Sequence, residues 1–157
     1  MYNHAPNDYK CPICIAINGQ ENDDTLIRQS DIVYKDDLVT AFISSFFIGK
    51  NIGHVIIVPN EHFENIYDLP HNYSSQIAEI AQKIAIGLKK VYRTDGITTL
   101  QNNEPAGNQH AFHYHFHVFP RYENDDLHNN MLDKKSTSPE ERLPYAEKLR
   151  EELSKTN

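Results

Sequence analysis

The chain has 157 residues, with 15 Lys and Arg against 22 Asp and Glu, so its formal net charge is −7. This length predicts a single domain over residues 1–157 with a buried core of its own. The acidic charge disfavours polymeric nucleic acid as a partner, no apolar run is long enough to span a membrane, and the N-terminus lacks a secretory signal, which together predict a cytoplasmic protein.

The first half of the chain is predicted to form a short helical turn and several antiparallel strands. Residues 1–10 are polar and predict a loose N-terminal arm, which is followed by a helical turn over 13–17. A β-branched run over 54–59 predicts a strand that is buried on both faces. Three shorter apolar runs, separated by aspartates, predict antiparallel strands before it: 26–27, 32–34 and 38–43.

The second half is predicted to add one long helix, two strands and a terminal helix. Apolar residues recur every three or four positions over about 74–91, as in an amphipathic helix that faces a core. Strands are predicted over 96–100 and 111–119, and residues 122–157 form a C-terminal extension whose helix begins at a capping box after Ser138. The order predicts an α+β fold, with an antiparallel sheet of about five strands, the long helix packed on it and a C-terminal helix.

Three histidines alternate with other residues in the last predicted strand: His113, His115 and His117. Residues two apart in a strand share a face, so the pattern predicts one imidazole face and one apolar face. Crowded imidazoles lower one another's pKa, and the resulting neutral rings are nucleophilic and bind oxyanions such as phosphate. The spacing therefore favours a phosphate site over three unrelated structural histidines.

These histidines and several other segments resemble the histidine triad (HIT) family of nucleotide hydrolases and transferases. The resemblance includes the segments 53–59 and 62–69 together with Asn102 and Gln109, and it extends over residues 11–121. It implies a HIT-like α+β fold, a homodimer joined partly through the long helix and a sheet edge, and a small nucleotide as the substrate.

The resemblance also implies a role for each residue of the phosphate site. His115, the middle histidine, is the expected nucleophile, which attacks the α-phosphorus and forms a covalent nucleotidyl-histidine that water or another acceptor resolves. His54 and His117 are expected to line the same site, and Asn102 and Gln109 to hydrogen-bond the phosphates or the leaving group. The implied substrates are phosphoanhydrides or phosphoramidates, such as a dinucleoside polyphosphate or an adenosine phosphoramidate.

Cys11 and Cys14 form a Cys-x-x-Cys pair, a spacing that zinc sites and redox motifs share. Metal-free reduced thiols and a redox pair are the alternatives, and the lack of a thioredoxin-like βαβ unit around Cys11 disfavours the redox pair. In a zinc-containing subgroup of the resembled family, such a pair holds the metal with two histidines, which correspond here to His62 and His113. A site of four such ligands is closed, so we expect structural Zn²⁺ that ties the arm to the sheet.

The sequence departs from the family pattern at two places. His110 stands where many relatives have a small hydroxyl residue, and the loop 44–53 is longer and lacks the acidic residue that often binds the ribose. Two other functions stay open: a metal-dependent hydrolase whose histidines hold catalytic metals, and a nucleotide-binding or scaffold protein without turnover. The absence of carboxylates between Pro105 and Tyr122 disfavours the first, and the intact middle histidine disfavours the second.

Overall fold

The computed structural model describes residues 2–155, so residue 1 of the predicted arm and residues 156–157 of the predicted extension lie outside it. No helix in this range is long and apolar enough to cross a lipid bilayer. The helices and strands are, in chain order, α1 (Pro12–Ile17), β1 (Ile32–Lys35), β2 (Val39–Ile43), β3 (Phe46–Ile48), β4 (Val55–Pro59), α2 (His71–Tyr92), β5 (Gly96–Gln101), β6 (Phe116–Arg121), α3 (Leu127–Asn130), β7 (Lys134–Ser136) and α4 (Pro139–Ser154).

Five of the strands form one antiparallel sheet in the order β1-β2-β4-β6-β5, which confirms the predicted α+β fold. His117 lies between Ile56 of β4 and Leu100 of β5 in the register, and it is therefore well inside the sheet. The two remaining strands, β3 and β7, pair with each other, with Ile48 opposite Lys134.

Side-chain alternation divides the sheet into a core face and a cavity face. On the core face, Val55 and Val118 are fully buried and pack in one cluster with Ile80 and Ile84 from the apolar stripe of α2. On the other face, side chains of β4, β5 and β6 border a cavity of about 820 Å³. The long helix thus stabilises one side of the sheet and leaves the other side available for a ligand.

The two longer helices follow the predictions closely. Helix α2 includes the whole predicted segment and extends it at both ends. Helix α4 follows the predicted cap, in which the Ser138 Oγ accepts the Glu141 N–H and the Glu141 carboxylate accepts the Ser138 N–H. The capping box satisfies two N–H groups that a helix start otherwise leaves unpaired, and this explains the exact start of α4.

The prediction of a strand at residues 26–27 is wrong. The carbonyl of Leu26 accepts a hydrogen bond of 2.9 Å from the guanidinium of Arg142, a residue of α4, instead of pairing with a neighbouring strand. The segment is followed by a single 3₁₀ turn, Gln29–Asp31, before β1 begins. The conformation at Leu26 thus depends on a contact with Arg142, which is more than a hundred positions away in the sequence.

The predicted start of the last strand at residue 111 is also wrong, because β6 begins at Phe116. The neighbouring strand β4 ends at Pro59, which has no N–H to donate to a ladder. The N–H of Tyr114 instead donates to the carbonyl of Phe63 at 2.6 Å. Consequently His113 and His115 precede the strand, and His117 alone of the three lies within it.

Residues 2–10, the described part of the predicted N-terminal arm, contain no helix or strand, but two of them are tied to the domain. The N–H groups of His4 and Ala5 both donate to the buried carboxylate of Glu64. The His4 ring lies 2.9 Å from the carboxylate of Glu104. These contacts hold residues 4 and 5 of the arm against the domain.

Candidate functional site

The cavity face brings together three of the histidines that the sequence singled out. The ring centroids of His115 and His117 are 5.1 Å apart, and those of His117 and His54 are 5.6 Å apart. All three residues line the cavity. The lining also includes Ile13, Ile27 and Phe42, which belong to one apolar cluster, and the carboxylates of Asp23 and Asp24. The cavity thus combines an imidazole cluster, which suits a charged group of a ligand, with apolar side chains, which suit a flat apolar group.

His115 is held in a single tautomer by the backbone. Its Nδ1 lies 2.7 Å from the carbonyl oxygen of His113. A carbonyl oxygen only accepts, so Nδ1 carries the proton and Nε2 carries the lone pair. Burial of the ring also lowers the pKa of His115 from its usual value, which keeps the ring neutral near pH 7. The residue has the protonation state that a nucleophile requires.

His54 and His117 are neutral as well, and neither is fully hydrogen-bonded. Burial lowers the pKa of His54 to about 3 and, with the charges of the neighbouring histidines and Lys134, lowers that of His117 well below its usual value. Both rings stack on Phe119, at centroid distances of 4.3 Å and 5.4 Å. Neither nitrogen of His54, nor Nδ1 of His117, has a hydrogen-bond partner among residues 2–155. Buried polar atoms of this kind usually serve a ligand.

The loop before the histidines contains the two predicted amide residues, of which one faces the cavity and the other is buried. Asn102 lines the cavity, with its amide nitrogen 3.5 Å from the carbonyl of Asn108. Gln109 is buried and does not line the cavity. Its amide oxygen accepts the Glu104 N–H, and its amide nitrogen donates to the Glu64 carbonyl. Gln109 therefore fixes the shape of the loop, whereas Asn102 faces the cavity.

This loop has an unusual backbone, because Glu104 and Asn108 both adopt positive φ, 63° and 66°. Such conformations are uncommon for residues with a side chain and occur often at ligand sites. His110, the departure from the family pattern, is exposed and lines the same cavity. The polar groups of the loop therefore lie next to the imidazole cluster.

The C-terminal extension forms one wall of the cavity, and the sequence did not identify which of its residues do so. Residues of α3, of β7 and of the segment between them line this wall, including His128, Met131 and Lys134. These elements are short, and their residues show neither helical nor strand periodicity, so no local signal marks them. Ser44 and Ser45, which follow β2, also border the cavity.

A second cluster lies outside the cavity and contains the four predicted metal ligands. The ligand atoms of Cys11, Cys14, His62 and His113 all lie within 4.8 Å of one another. In a tetrahedral zinc site with bonds of about 2.0–2.3 Å, neighbouring ligand atoms are separated by roughly 3.3–3.8 Å. The observed set needs only small side-chain adjustments to reach this geometry, and two thiols with two imidazoles are a donor set typical of structural zinc.

Hydrogen bonds hold the side chains of this cluster in the orientation that metal binding requires. The Nε2 of His113 donates to the carbonyl of Pro59 at 3.0 Å, so its Nδ1, which lies 3.4 Å from both sulfurs, carries the lone pair. The Nδ1 of His62 lies 3.3 Å from the Cys14 sulfur. Hydrogen bonding with Cys14, and then with the two histidines, lowers the pKa of the Cys11 thiol, which favours the thiolate that binds a metal.

Comparisons with known proteins give the relationships of this chain. The HIT domain model matches residues 27–124. An uncharacterized HIT-like protein from Saccharolobus solfataricus is 31% identical over 131 residues, which cover 83% of this chain and 88% of the relative. The crystal structure of a Zn-bound histidine triad family protein from Mycobacterium smegmatis has a TM-score of 0.75, with 22% identity, and covers 94% of this chain and 95% of that chain.

A relative with a named activity is the adenylylsulfatase HINT3 from Arabidopsis thaliana, which is 26% identical over 113 residues, or 67% of this chain and 56% of the relative. The matched residues 27–124 contain His54 and the triad, and they include the whole five-stranded sheet. Because the domain model matches more than half of the chain and the archaeal relative is similar over most of its length, the chain belongs to the histidine triad (HIT) family.

Proposed function

We propose that the protein hydrolyses or transfers a nucleotidyl group from a small nucleotide phosphoanhydride or phosphoramidate, with His115 as the nucleophile. The observation that carries the proposal is the tautomer of His115. Its Nδ1–H is engaged by the His113 carbonyl, so a neutral Nε2 with a free lone pair belongs to a ring that lines the cavity. A neutral imidazole needs no base to remove a proton before it attacks.

The reaction has two displacement steps. In the first, the Nε2 lone pair of His115 attacks the α-phosphorus, a bond from nitrogen to phosphorus forms, and the bond to the leaving group breaks with its electron pair. In the second, water attacks the same phosphorus, the histidine leaves, and the proton of the water passes to solvent or to a neighbouring imidazole. The neutral, unpaired nitrogens of His54 and His117 and the Asn102 amide are suited to bind the phosphoryl oxygens.

Polarity within the cavity supports a nucleotide as the substrate. The end near α1 is lined by Ile13, Ile27 and Phe42, which suit the flat apolar surface of a base. The relative with a named activity, the adenylylsulfatase from Arabidopsis thaliana, is named for an adenylyl compound. Gln109 contributes by holding the loop that presents Asn102, because both ends of its amide are engaged within the protein.

We propose further that Cys11, Cys14, His62 and His113 bind one structural Zn²⁺. The geometry of the four ligands supports this, and the M. smegmatis protein of the same fold is described as Zn-bound. Zinc bound there would neutralise the thiolates and join α1 to the segment before β6, while the closed ligand set leaves no open position for catalysis. Metal analysis of the purified protein is expected to give one zinc per chain, and less than 0.1 zinc per chain would contradict the proposal.

Single-turnover labelling tests the catalytic proposal. Wild-type protein, quenched with a substrate that carries a labelled α-phosphate, is expected to retain label covalently, whereas His115→Ala is expected to retain none. His71→Ala is the matched control, because His71 is exposed at the start of α2, away from the cavity. Nucleotide binding by wild type without trapped label or turnover would favour a binding or scaffold protein. Turnover that survives in His115→Ala but is abolished by chelation would favour a metal-dependent hydrolase.

A further inference from the structure

The C-terminal extension forms one wall of the cavity, although it lies beyond the residues 27–124 that the family model matches. Helix α3 and strand β7 carry the wall. Its lining residues are Leu127, His128, Met131, Leu132 and Lys134. A cavity built largely by residues 27–124 is thus completed by residues that follow them in the chain.

Packing places this wall at the histidine end of the cavity. Lys134 pairs opposite Ile48 in the β3–β7 ladder, and Ile48 packs in a buried cluster with Phe119 and Leu127. The ring of Phe119 in turn stacks on His54 and His117. The wall is therefore connected through two buried contacts to the imidazole cluster.

Lys134 is a cation without a neutralising partner. No carboxylate of residues 2–155 lies within 4.0 Å of its Nζ, which instead lies 5.1 Å from the centre of the Phe46 ring. A cation over an aromatic face keeps its positive charge, and the contact restricts a side chain that is otherwise free to move. Exposure of Lys134 leaves its ammonium group accessible to a ligand in the cavity.

Buried polar atoms at the same end also lack partners. They are Nδ1 and Nε2 of His54, Nδ1 of His117 and Oγ of Ser45. All three residues line the cavity with Lys134. A neutral imidazole or hydroxyl is suited to a phosphoryl oxygen, but it supplies no positive charge for a group that leaves as an anion. Among the residues that line this end, Lys134 supplies that charge.

We propose that Lys134 binds the anionic leaving group of the substrate, so that the protein acts on anhydrides in which the α-phosphate is joined to a further acidic group. The inference rests on the proposed function. When Nε2 of His115 forms its bond to phosphorus, the bridging oxygen departs with the electron pair and gains negative charge, which the ammonium group stabilises. A phosphoramidate releases an amine that leaves uncharged or cationic, and it gains nothing from Lys134.

Lys135 provides a matched control. It is the next residue of β7, so its side chain points to the opposite side of the ladder. It lies 3.6 Å from the Glu141 carboxylate and borders a different, smaller pocket. Lys134→Ala and Lys135→Ala therefore remove the same charge from the same strand, but only the first removes it from the cavity that contains the histidines.

Substrate preference tests the proposal. The measurement is kcat/KM for diadenosine tetraphosphate divided by kcat/KM for adenosine 5′-phosphoramidate. Lys134→Ala is expected to lower this ratio about tenfold, the effect of losing one charge-assisted contact of ~1.4 kcal/mol. Lys134→Arg is expected to retain most of the ratio, and Lys135→Ala to leave it as in wild type. An equal effect of both alanine variants on the ratio would overturn the inference.

A binding measurement separates this inference from the proposed function. Calorimetric titration is expected to show that Lys134→Ala weakens the binding of ADP relative to AMP, whereas Lys135→Ala does not. If wild type turned over neither substrate, the proposed function would fail, and the ADP titration would still decide the role of Lys134. If His115-dependent turnover occurred but Lys134→Ala behaved as Lys135→Ala in both assays, the inference would be wrong and the proposed function would stand.

Discussion

Arg142 is expected to be a large single contributor to stability. Its side chain is 1% exposed and that of Asp31 is 0% exposed, with contacts of 2.8 Å and 2.9 Å between them. The same guanidinium donates to the carbonyls of Leu26 and Thr137, which precede β1 and α4 respectively. Arg142→Ala leaves a buried carboxylate without its partner, a change that costs about 3–5 kcal/mol. That is a large fraction of the ~5–15 kcal/mol by which a domain is stable.

Urea denaturation measures this cost. With an m value of ~2 kcal/mol/M, the midpoint for Arg142→Ala is expected to fall by about 1.5–2.5 M. The matched control is Arg150→Ala, which removes the same charge from the same helix. Arg150 is half-buried and donates to the Ile32 carbonyl at 2.8 Å, so its loss is expected to cost only ~0.5–1.5 kcal/mol.

A double-mutant cycle isolates the ion pair from the rest of the guanidinium. Asp31→Ala combined with Arg142→Ala is expected to destabilise the protein by less than the sum of the single variants, because each single variant leaves a buried charge unpaired. Equal midpoints for Arg142→Ala and Arg150→Ala, or strict additivity in the cycle, would refute the reasoning.

Two further predictions concern acid and metal. The hydrogen bond from Arg121 holds the pKa of Asp125 well below its usual value, so the carboxylate stabilises the fold above its ordinary pKa of about 4 and this contribution is lost as the pH falls. Unfolding free energies of wild type and Asp125→Asn, measured in urea, are expected to differ at pH 7, and the difference is expected to shrink progressively as the pH falls below about 4; a constant difference down to about pH 2 would contradict this. Chelation of zinc removes about 2.7 kcal/mol of binding energy, which is expected to lower the wild-type melting temperature by ~5–11 °C. The melting temperature of Cys14→Ala is expected to stay unchanged. An equal shift in both proteins would argue against the site.

The sequence predicted those parts of the fold that depend on local patterns. The periodicity over 74–91 and the capping box at Ser138 depend on neighbours along the chain, and both correspond closely to helices in the structure. The strand predicted at 26–27 failed because a donor from α4 takes the Leu26 carbonyl. The start of β6 depended on Pro59 in another strand. Long-range contacts of this kind leave no mark on local periodicity.

The candidate site divides in the same way. Histidines in alternation are a strong local pattern, and the structure brings His54, His115 and His117 to one cavity. The wall that contains Lys134 depends on the packing of α3 and β7 against Ile48 and Phe119, which are distant in sequence. No spacing rule predicts which of several surface lysines will face a cavity, and the adjacent Lys135 faces elsewhere.

His113 links the two clusters, and this link gives the proposed metal a consequence for the proposed chemistry. Its ring belongs to the cysteine cluster and donates to the Pro59 carbonyl, while its own carbonyl accepts the proton that fixes the tautomer of His115. These residues lie before β6 and lack the ladder bonds that hold a strand in place. A metal bound to the ring therefore restrains the backbone that selects the lone pair on Nε2 of His115. The proposed metal site would thus support the proposed nucleophile without touching the substrate, because the His113 side chain belongs to the cysteine cluster and the His113 carbonyl orients His115.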